Sequence, residues 1–308
     1  MAESIWFWVA FNVFILAMLA LDLGVMGKRS HVIRFREAAI RSAIWFALAM
    51  VFALGLYWFE SGDAALTFLT GYLIEESLSV DNIFVMVVIF SYFGVPAAYQ
   101  HRVLFWGIIG ALVMRGTFII LGVWLLNHFH FVIFVFGGLL VVTGIRMAVK
   151  EEKPFEGEQN PVVRLVRRLV PLSSDYHGHH FFTIQNGRRV ATPLLLVLVL
   201  VEFTDLVFAI DSIPAIFSVT RDSFLVYTSN VFAILGLRSM YFMLAGVIDR
   251  FRFLRYGLAF ILTFVGVKML LSDVVHIPIV TSLLVVTGGI VASVAFSLLM
   301  PPPEEKVS

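Results

Sequence analysis

Six acidic side chains lie inside stretches of apolar sequence long enough to cross a lipid bilayer: Glu75, Glu76, Asp81, Glu202, Asp205 and Asp211. A carboxylate at the centre of a membrane-spanning helix costs roughly 2.5–3.5 kcal/mol. Three acids in the first stretch therefore cost on the order of 8–10 kcal/mol, and the surrounding large apolar residues return about 4–6 kcal/mol. This helix cannot face lipid, so its acids must face a protein interior or a water-filled cavity, as functional sites in membranes do.

The groups beside these acids that could bind a cation do so through oxygen atoms. An amide, several hydroxyls and backbone carbonyls stand beside the carboxylates. Hard divalent cations such as manganese, calcium or magnesium bind such groups, whereas copper and zinc prefer histidine or cysteine. The chain has no cysteine, and its eight histidines fall in loops or at the ends of apolar stretches. Met86 and Met240 could add a thioether that favours a transition metal, or could simply pack.

The composition indicates a protein that crosses the membrane many times. Hydrophobic residues make up 60% of the 308 positions and charged residues 14%, against about a quarter charged in soluble domains. Apolar windows of bilayer length fall at about 5–24, 43–59, 66–90, 103–126, 131–149, 193–217, 224–247, 256–272 and 277–299. The expected fold is therefore all-α and polytopic, with about nine transmembrane helices.

The basic residues predict the orientation of these spans. Seventeen of the 22 lysines and arginines fall in loops on one side, and Arg221 is alone on the other. Because cytoplasmic loops carry the excess of Lys and Arg, we expect the amino terminus outside and the carboxyl terminus in the cytoplasm. The first apolar stretch has no basic segment before it and is interpreted as a retained span.

An internal repeat relates the two acidic groups. A shift of 130 residues places Glu75 on Asp205, Asp81 on Asp211 and Asn82 on Ser212. A shift of 123 places Arg115 on Arg238, and a shift of 122 places residues 144–147 on residues 266–269. Each unit holds three spans, an odd number, so the second unit must enter from the opposite side. Inverted repeats of this kind build many transporters, with the substrate site near the midplane between the units.

Two features of this repeat leave alternatives open. Pro214 lacks an N–H, so the carbonyl of Ile210 loses its helical partner, and a break there could turn Asp211 towards the site. The two arginines, Arg115 and Arg238, could instead neutralise two of the acids as structural ion pairs. Six acids against two buried bases still leave a surplus of about four carboxylates, which requires protons or a metal ion.

The polar segment 150–192 is expected to be a cytoplasmic loop. Residues 181–185 and 188–192 flank Asn186-Gly187, which predicts a tight β-hairpin. Residues 164–170 could form an amphipathic helix on the membrane surface. His177, His179 and His180 could bind a metal or could be solvated loop residues. The expected parts are two N-terminal helices with a basic loop (1–65), the first repeat (66–149), this loop, the inverted repeat (193–273) and a last helix with its tail (274–308).

Longer motifs resemble a known family. They are Glu75-x-Ser77-Leu78-x-Val80-Asp81-Asn82, Val201-Glu202-x-x-Asp205-x-x-Phe208-Ala209-x-Asp211-Ser212-Ile213-Pro214, and Thr228-Ser229-Asn230 followed by Gly236-Leu237-Arg238. On these residues the chain resembles the TerC/Alx family of bacterial integral membrane proteins from about Leu66 to the last helix. It is most similar to the Alx branch, from which Glu76 departs because lysine is more usual there.

The resemblance implies export of manganese across the bacterial cytoplasmic membrane, and it links the family to tellurium resistance and to metal supply for exported enzymes. The implied metal-site residues are Glu75, Asp81, Asn82, Glu202, Asp205, Asp211 and Ser212. Supporting or charge-pairing positions are Glu76, Arg115, Arg238, Pro214 and Ile210. Some members are labelled redox modulators, which a chain without cysteines and buried histidines does not favour.

The leading interpretation is a secondary transporter of a divalent cation, manganese, rather than an enzyme. No phosphate-binding loop is present, so an ion gradient would drive it, with protons as a candidate counter-ion. No permanently bound cofactor and no nucleic-acid partner are expected. The alternative is an accessory membrane protein whose loop 150–192 recruits a protein partner or delivers metal. An intramembrane aspartyl protease is disfavoured because neither Asp81 nor Asp211 follows a glycine.

Overall fold

A computed structural model of the chain describes residues 5–26, 35–149, 157, 159–185, 187–246, 253–275 and 277–300, with the side chains of 21–26 left aside. This part of the chain contains ten α-helices and one two-stranded sheet. The elements are α1 (Ile5–Met26), α2 (Phe35–Phe59), α3 (Gly62–Tyr92), α4 (Ala97–His128), α5 (Val132–Val149), α6 (Pro161–Leu169), β1 (Phe182–Gln185), β2 (Arg188–Ala191), α7 (Pro193–Phe217), α8 (Ser223–Leu244), α9 (Leu254–Leu270) and α10 (Ile279–Leu299).

Each of the nine apolar windows coincides with a helix, which confirms the all-α prediction. The bounds of α7 agree with its window, 193–217, because Pro193 occupies the first helical turn, where a missing N–H costs nothing. By length and composition, five described helices could cross a membrane, namely α2, α4, α5, α7 and α10. The figure of nine transmembrane helices, their orientation and the five-part division stay predictions.

The helices of the two expected repeats are interleaved. Helix α3 packs against α8, α4 packs against α7, and α5 packs along α9, while α2 leans on α3 and α8. The α5–α9 contact is close because glycines face backbone there. A Cβ atom on Gly266 would lie 2.7 Å from the carbonyl oxygen of Gly137, and one on Gly144 would lie 2.7 Å from that of Ala259. We call this contact the glycine seam.

The expected break at Pro214 is absent, since α7 is helical throughout Pro193–Phe217. Pro214 lies in the last turn, and every residue from Ser212 to Phe217 is buried. Packing on all sides therefore holds this turn helical despite the missing N–H at Pro214. The backbone N–H of Ser218 bonds the carbonyls of Pro214 and Ala215 and closes the helix. The Ile210 side chain lies on the outer surface of α7, 46% exposed.

The described part of the loop 150–192 is folded onto the helices. The predicted hairpin is confirmed, with Phe182 paired to Ala191 and Gln185 to Arg188. Gly187 has a φ of 74°, as the turn requires, while Asn186 lies outside the described residues. The predicted amphipathic helix is α6, which starts three residues early because Asn160 caps it.

Candidate cation site

A single guanidinium joins the two repeat-related acids in the middle of the helix bundle. Arg115 of α4 donates from Nη2 to Asp205 Oδ1 at 2.8 Å and from Nε to Asp205 Oδ2 at 3.2 Å. The same guanidinium donates through Nη1 to Glu75 Oε1. Asp205 is on α7 and Glu75 on α3, so Arg115 links three helices. We call Glu75, Arg115 and Asp205 the central triad.

Polar side chains complete the bonding around this triad. Asn230 of α8 donates from Nδ2 to Glu75 Oε2 at 3.0 Å, and its Oδ1 lies 3.4 Å from Arg115 Nη1. Asn82 of α3 donates to Asp205 Oδ1 at 3.4 Å, and Ser212 Oγ lies 3.4 Å from Arg115 Nη1. The guanidinium and each carboxylate are therefore bonded by more than one group, which a buried charge requires.

The central triad lies near the middle of each helix that supplies it. At 1.5 Å per residue, Asp205 is about 18 Å from either end of α7. Glu75 is about 20 Å and 26 Å from the ends of α3, and Arg115 about 27 Å and 20 Å from those of α4. A bilayer hydrocarbon core is about 30 Å thick. If these helices span it, the charges sit near its midplane.

Burial and charge make the triad an unusual centre. Glu75, Arg115 and Asp205 are 0%, 2% and 4% exposed. Two carboxylates against one guanidinium leave one negative charge in excess. Arg238, the repeat counterpart of Arg115, is also buried and lines a small cavity together with Asp205 and Met86. This cavity measures about 10 Å³, which is roughly the space that one water-sized guest needs.

Comparison with known proteins identifies the family. The family model described as "Integral membrane protein TerC family" matches residues 60–304 of this chain. A Myxococcus xanthus protein named Uncharacterized membrane protein STKORF319 is 53% identical over 292 residues, covering 95% of this chain and 92% of that protein. An Escherichia coli K12 protein, Alx, described by its name as a candidate membrane-bound redox modulator, is 49% identical over 293 residues, covering 92% and 91%.

The chain belongs to the TerC family. The resemblance found from the motifs is confirmed, and the chain is a multi-pass integral membrane protein. A Rickettsia bellii membrane protein is also similar, 39% identical over 93% of this chain. No solved structure matches this chain. The names Alx and TerC are not names of enzymes.

The remaining predicted ligands of this TerC protein, and the supporting residue Glu76, are on α3 and α7, two of the helices that supply the triad. Asp211 is half-buried and accepts a hydrogen bond from Thr143 Oγ1 of α5 at 3.1 Å. Asp81 is half-buried on α3, six residues beyond Glu75. Glu202 is half-buried, and its carboxylate lies against α4 where Gly110 leaves room for it. Glu76 faces Gly236 of α8, and its buried Oε2 has no hydrogen-bond partner among the described residues.

The seven predicted ligands are not gathered around one point in this conformation. Within the described residues, no group of three or more His, Cys, Asp or Glu side chains is placed to hold one metal ion. Glu75, Asp205, Asn82 and Ser212 surround Arg115 instead. The guanidinium thus occupies the position between the acids that a cation would need. The ion pairs of Arg115 with Glu75 and Asp205 are of the structural kind that the sequence allowed as an alternative to a metal site.

Two polar partners were missed by the sequence reasoning. Asn230 belongs to a family motif but was not among the predicted site residues, yet it is fully buried and bonds both Glu75 and Arg115. An amide in the first half of a membrane-length helix was the available signal. Thr143, the partner of Asp211, carried no such signal, because hydroxyls are common in membrane helices.

The histidines of the loop are divided between two arrangements. His177 Nε2 lies 3.0 Å from Ser173 Oγ and 3.2 Å from Gln185 Nε2, which fixes the ring within the loop. His179 and His180 stack on each other with ring centroids 4.6 Å apart. Partial burial, with the charges of Arg102 and His180 nearby, lowers the pKa of His179. These contacts are those of structural loop residues.

Proposed function

We propose that this TerC-family protein is a secondary transporter that moves a divalent metal cation, manganese, out across the bacterial cytoplasmic membrane. The observation that carries the proposal is Arg115, which lies between Glu75 and Asp205, the two acids related by the 130-residue repeat. Acids paired across two helices near the midplane suit a transported cation, because oxygen ligands and an inverted repeat occur together at transporter sites.

In this proposal the triad represents the unloaded state. A divalent cation brings two positive charges to a pair of carboxylates that the guanidinium neutralises with one. Arg115 would therefore release its hydrogen bonds to Glu75 and Asp205 when the cation binds, and re-form them when the cation leaves. Asp81 and Asp211 would be the central ligands of the loaded state, with Glu75, Glu202 and Asp205 adding ligands or carrying protons. Asn82 and Ser212 would supply neutral oxygens.

The packing of the helices supports an inverted repeat. The repeat relates α3 to α7 and α4 to α8, so exchanging the two units converts the α3–α8 contact into the α7–α4 contact. Both contacts are present. The shift of 122 residues carries Gly144 to Gly266 and Gly137 to Ala259. The shift therefore carries the contact of Gly144 with Ala259 onto the contact of Gly266 with Gly137. In both contacts the Cβ position of the first glycine is 2.7 Å from the carbonyl oxygen of the second residue. Such reciprocal contacts are those that a two-fold pseudo-symmetry axis between the units would produce.

The energy source would be an ion gradient. The sequence has no phosphate-binding loop, and a surplus of buried carboxylates can exchange protons for metal. The redox description of the Alx relative does not transfer to thiol chemistry here, since the chain has no cysteine. The amino terminus would be outside and the carboxyl terminus cytoplasmic, as the loop charges predict.

The test is manganese transport in proteoliposomes that contain a manganese-sensitive dye. Replacing Asp81→Asn together with Asp211→Asn should abolish transport. The matched control is Asp63→Asn with Asp273→Asn, which removes two charges from exposed helix-end positions and should leave transport intact. Magnesium and calcium serve as competing ions. Unchanged manganese flux in the Asp81 and Asp211 double variant would end the assignment.

The second candidate function is an accessory role for the hairpin. Its strands expose Ile184, 76% exposed, and Arg189, which lies 4.3 Å from the Phe182 ring centroid. The segment that leads into the hairpin is anchored, since Tyr176 Oη donates to the carbonyl of Phe93 at 2.8 Å. Ile184→Ser with Arg189→Ser should abolish partner capture and leave proteoliposome transport unchanged if this role exists. Loss of purified transport activity would assign the hairpin to the transporter itself.

A further inference from the structure

A long groove runs between α1 and α4 on the outer surface of the bundle. Its volume is about 640 Å³. The lining is apolar except for Asn12, Thr117 and Tyr227, and Val113 and Gly116 form part of the α4 wall. The groove exists because Phe11, Ile15 and Leu19 pack α1 towards α2 and α8, which leaves α1 apart from α4.

One end of the groove is polar and aromatic. Tyr227 Oη donates to Asn12 Oδ1 at 2.8 Å, and the rings of Trp8 and Tyr227 lie 5.3 Å apart. Trp8 is three residues into α1 and Tyr227 four residues into α8, which places both about 5–6 Å from the helix starts. Tryptophan and tyrosine prefer this depth, at the boundary between headgroups and hydrocarbon.

The remainder of the groove is a hydrocarbon surface open to the side. Leu16 and Val113 on its two walls are 63% and 67% exposed. In an integral membrane protein, such a surface faces lipid chains. From Trp8 to Ala20 the groove is about 18 Å long, close to one leaflet of a core of about 30 Å.

The chemistry along the groove selects the occupant. A polar, aromatic end formed by Trp8, Asn12 and Tyr227 is followed by apolar wall over the rest of the groove's length of about 18 Å, which matches the ester region and one acyl chain of a lipid. We propose that the α1–α4 groove is a binding site for a membrane phospholipid, with an acyl chain along the groove and its ester region beside Asn12 and Tyr227.

The test is lipid retention by the purified full-length protein, measured by native mass spectrometry with palmitoyl-oleoyl phosphatidylethanolamine as the probe. The wild-type protein should keep a bound phospholipid after delipidation. Gly116→Leu fills the groove and should weaken binding at least tenfold. Gly138→Leu is the matched control, since Gly138 lies on α5 with open space around its Cβ position, and it should bind as wild type does.

A second variant guards against misfolding of the first. Val113→Trp also fills the groove from an exposed position and should lose the same lipid. In a variant that keeps Trp8 as its only tryptophan, a phospholipid brominated on its acyl chain should quench the fluorescence. Equal retention by wild type, Gly116→Leu and Val113→Trp would overturn the proposal. A wild-type dimer that both substitutions dissociate would also overturn it, by making a second copy the occupant.

Discussion

Two of the contacts between the halves of the molecule have opposite chemistry. At the centre, Arg115 holds Glu75 and Asp205 together through charged hydrogen bonds. At the glycine seam, α5 and α9 approach backbone to backbone, with Gly266 and Gly144 each 2.7 Å, at the Cβ position, from a carbonyl of the facing helix. One contact is made by long side chains and the other by the absence of side chains.

This difference teaches which contact can change during transport. The guanidinium can leave its carboxylates by rotating its own side chain, at an electrostatic cost that a cation would offset. The seam cannot open without moving two helices, because backbone atoms fill it. In the proposed cycle, the centre exchanges partners while the seam keeps α5 and α9 together as one rigid element.

The largest expected effect comes from removing the central charge. Arg115→Met removes the guanidinium that bonds both buried carboxylates, Glu75 and Asp205, so we expect the free energy of unfolding to fall by about 3–5 kcal/mol. The free energy of unfolding of Arg115→Lys should lie between those of wild type and Arg115→Met, since one ammonium cannot bond both acids in the geometry of a guanidinium. Unfolding in detergent, followed by tryptophan fluorescence, measures the change.

Arg146→Met is the control for this substitution, because Arg146 is exposed on α5. It should change the free energy of unfolding by less than about 0.5 kcal/mol. If manganese at saturating concentration stabilises Arg115→Met more than it stabilises wild type, the cation can replace the guanidinium. Equal stability of the Arg115→Met and Arg146→Met proteins would contradict the central role of Arg115.

The seam should respond to a single methyl group. The Cβ of Gly266→Ala meets the Gly137 carbonyl oxygen and the backbone nitrogen of Val141 at 2.7 and 2.8 Å, so α5 and α9 must separate. We expect a loss of about 2 kcal/mol in the free energy of unfolding. Gly138→Ala, on the same helix pair but in open space, should be neutral or slightly stabilising. Equal values for the two variants would show that the seam is not tightly packed in solution.

The amide that bonds the triad should matter less than the guanidinium. Asn230→Ala leaves Glu75 Oε2 without its 3.0 Å donor, at an expected cost of about 1.5 kcal/mol. In a double-mutant cycle with Glu75→Gln, the two losses should not add, because both act on one hydrogen bond. Strict additivity would separate Asn230 from the triad.

Much of this fold could be predicted from the sequence, because long apolar stretches and turn residues act locally. The hairpin around Gly187 and the bounds of α7 are examples. The proximity of Glu75 and Asp205 could be expected from the repeat, since matched acids in inverted units face each other. These features depend on spacing along the chain.

The remaining features depend on neighbours that spacing does not specify. Pro214 removes a hydrogen bond in any helix, but burial of residues 212–217 by the surrounding helices decides that α7 stays helical. Whether Arg115 or a metal ion lies between the acids is set by side-chain reach across three helices. Asp211 could be identified as an acid inside an apolar span, yet its partner on α5 could not.

That partner gives the most subtle expected effect. Thr143→Val keeps the shape of the side chain and removes the donor to Asp211 Oδ1, so we expect a loss of about 1 kcal/mol or less in the free energy of unfolding. The central triad should be untouched, because Thr143 is on α5. If Asp211 is a cation ligand, a freer carboxylate should change the apparent KM for manganese and leave the maximal rate nearly constant. Thr117→Val is the control, since the Thr117 hydroxyl donates to the carbonyl of Val113 in its own helix. An unchanged KM in Thr143→Val, together with unchanged stability, would show that the hydroxyl does not position Asp211.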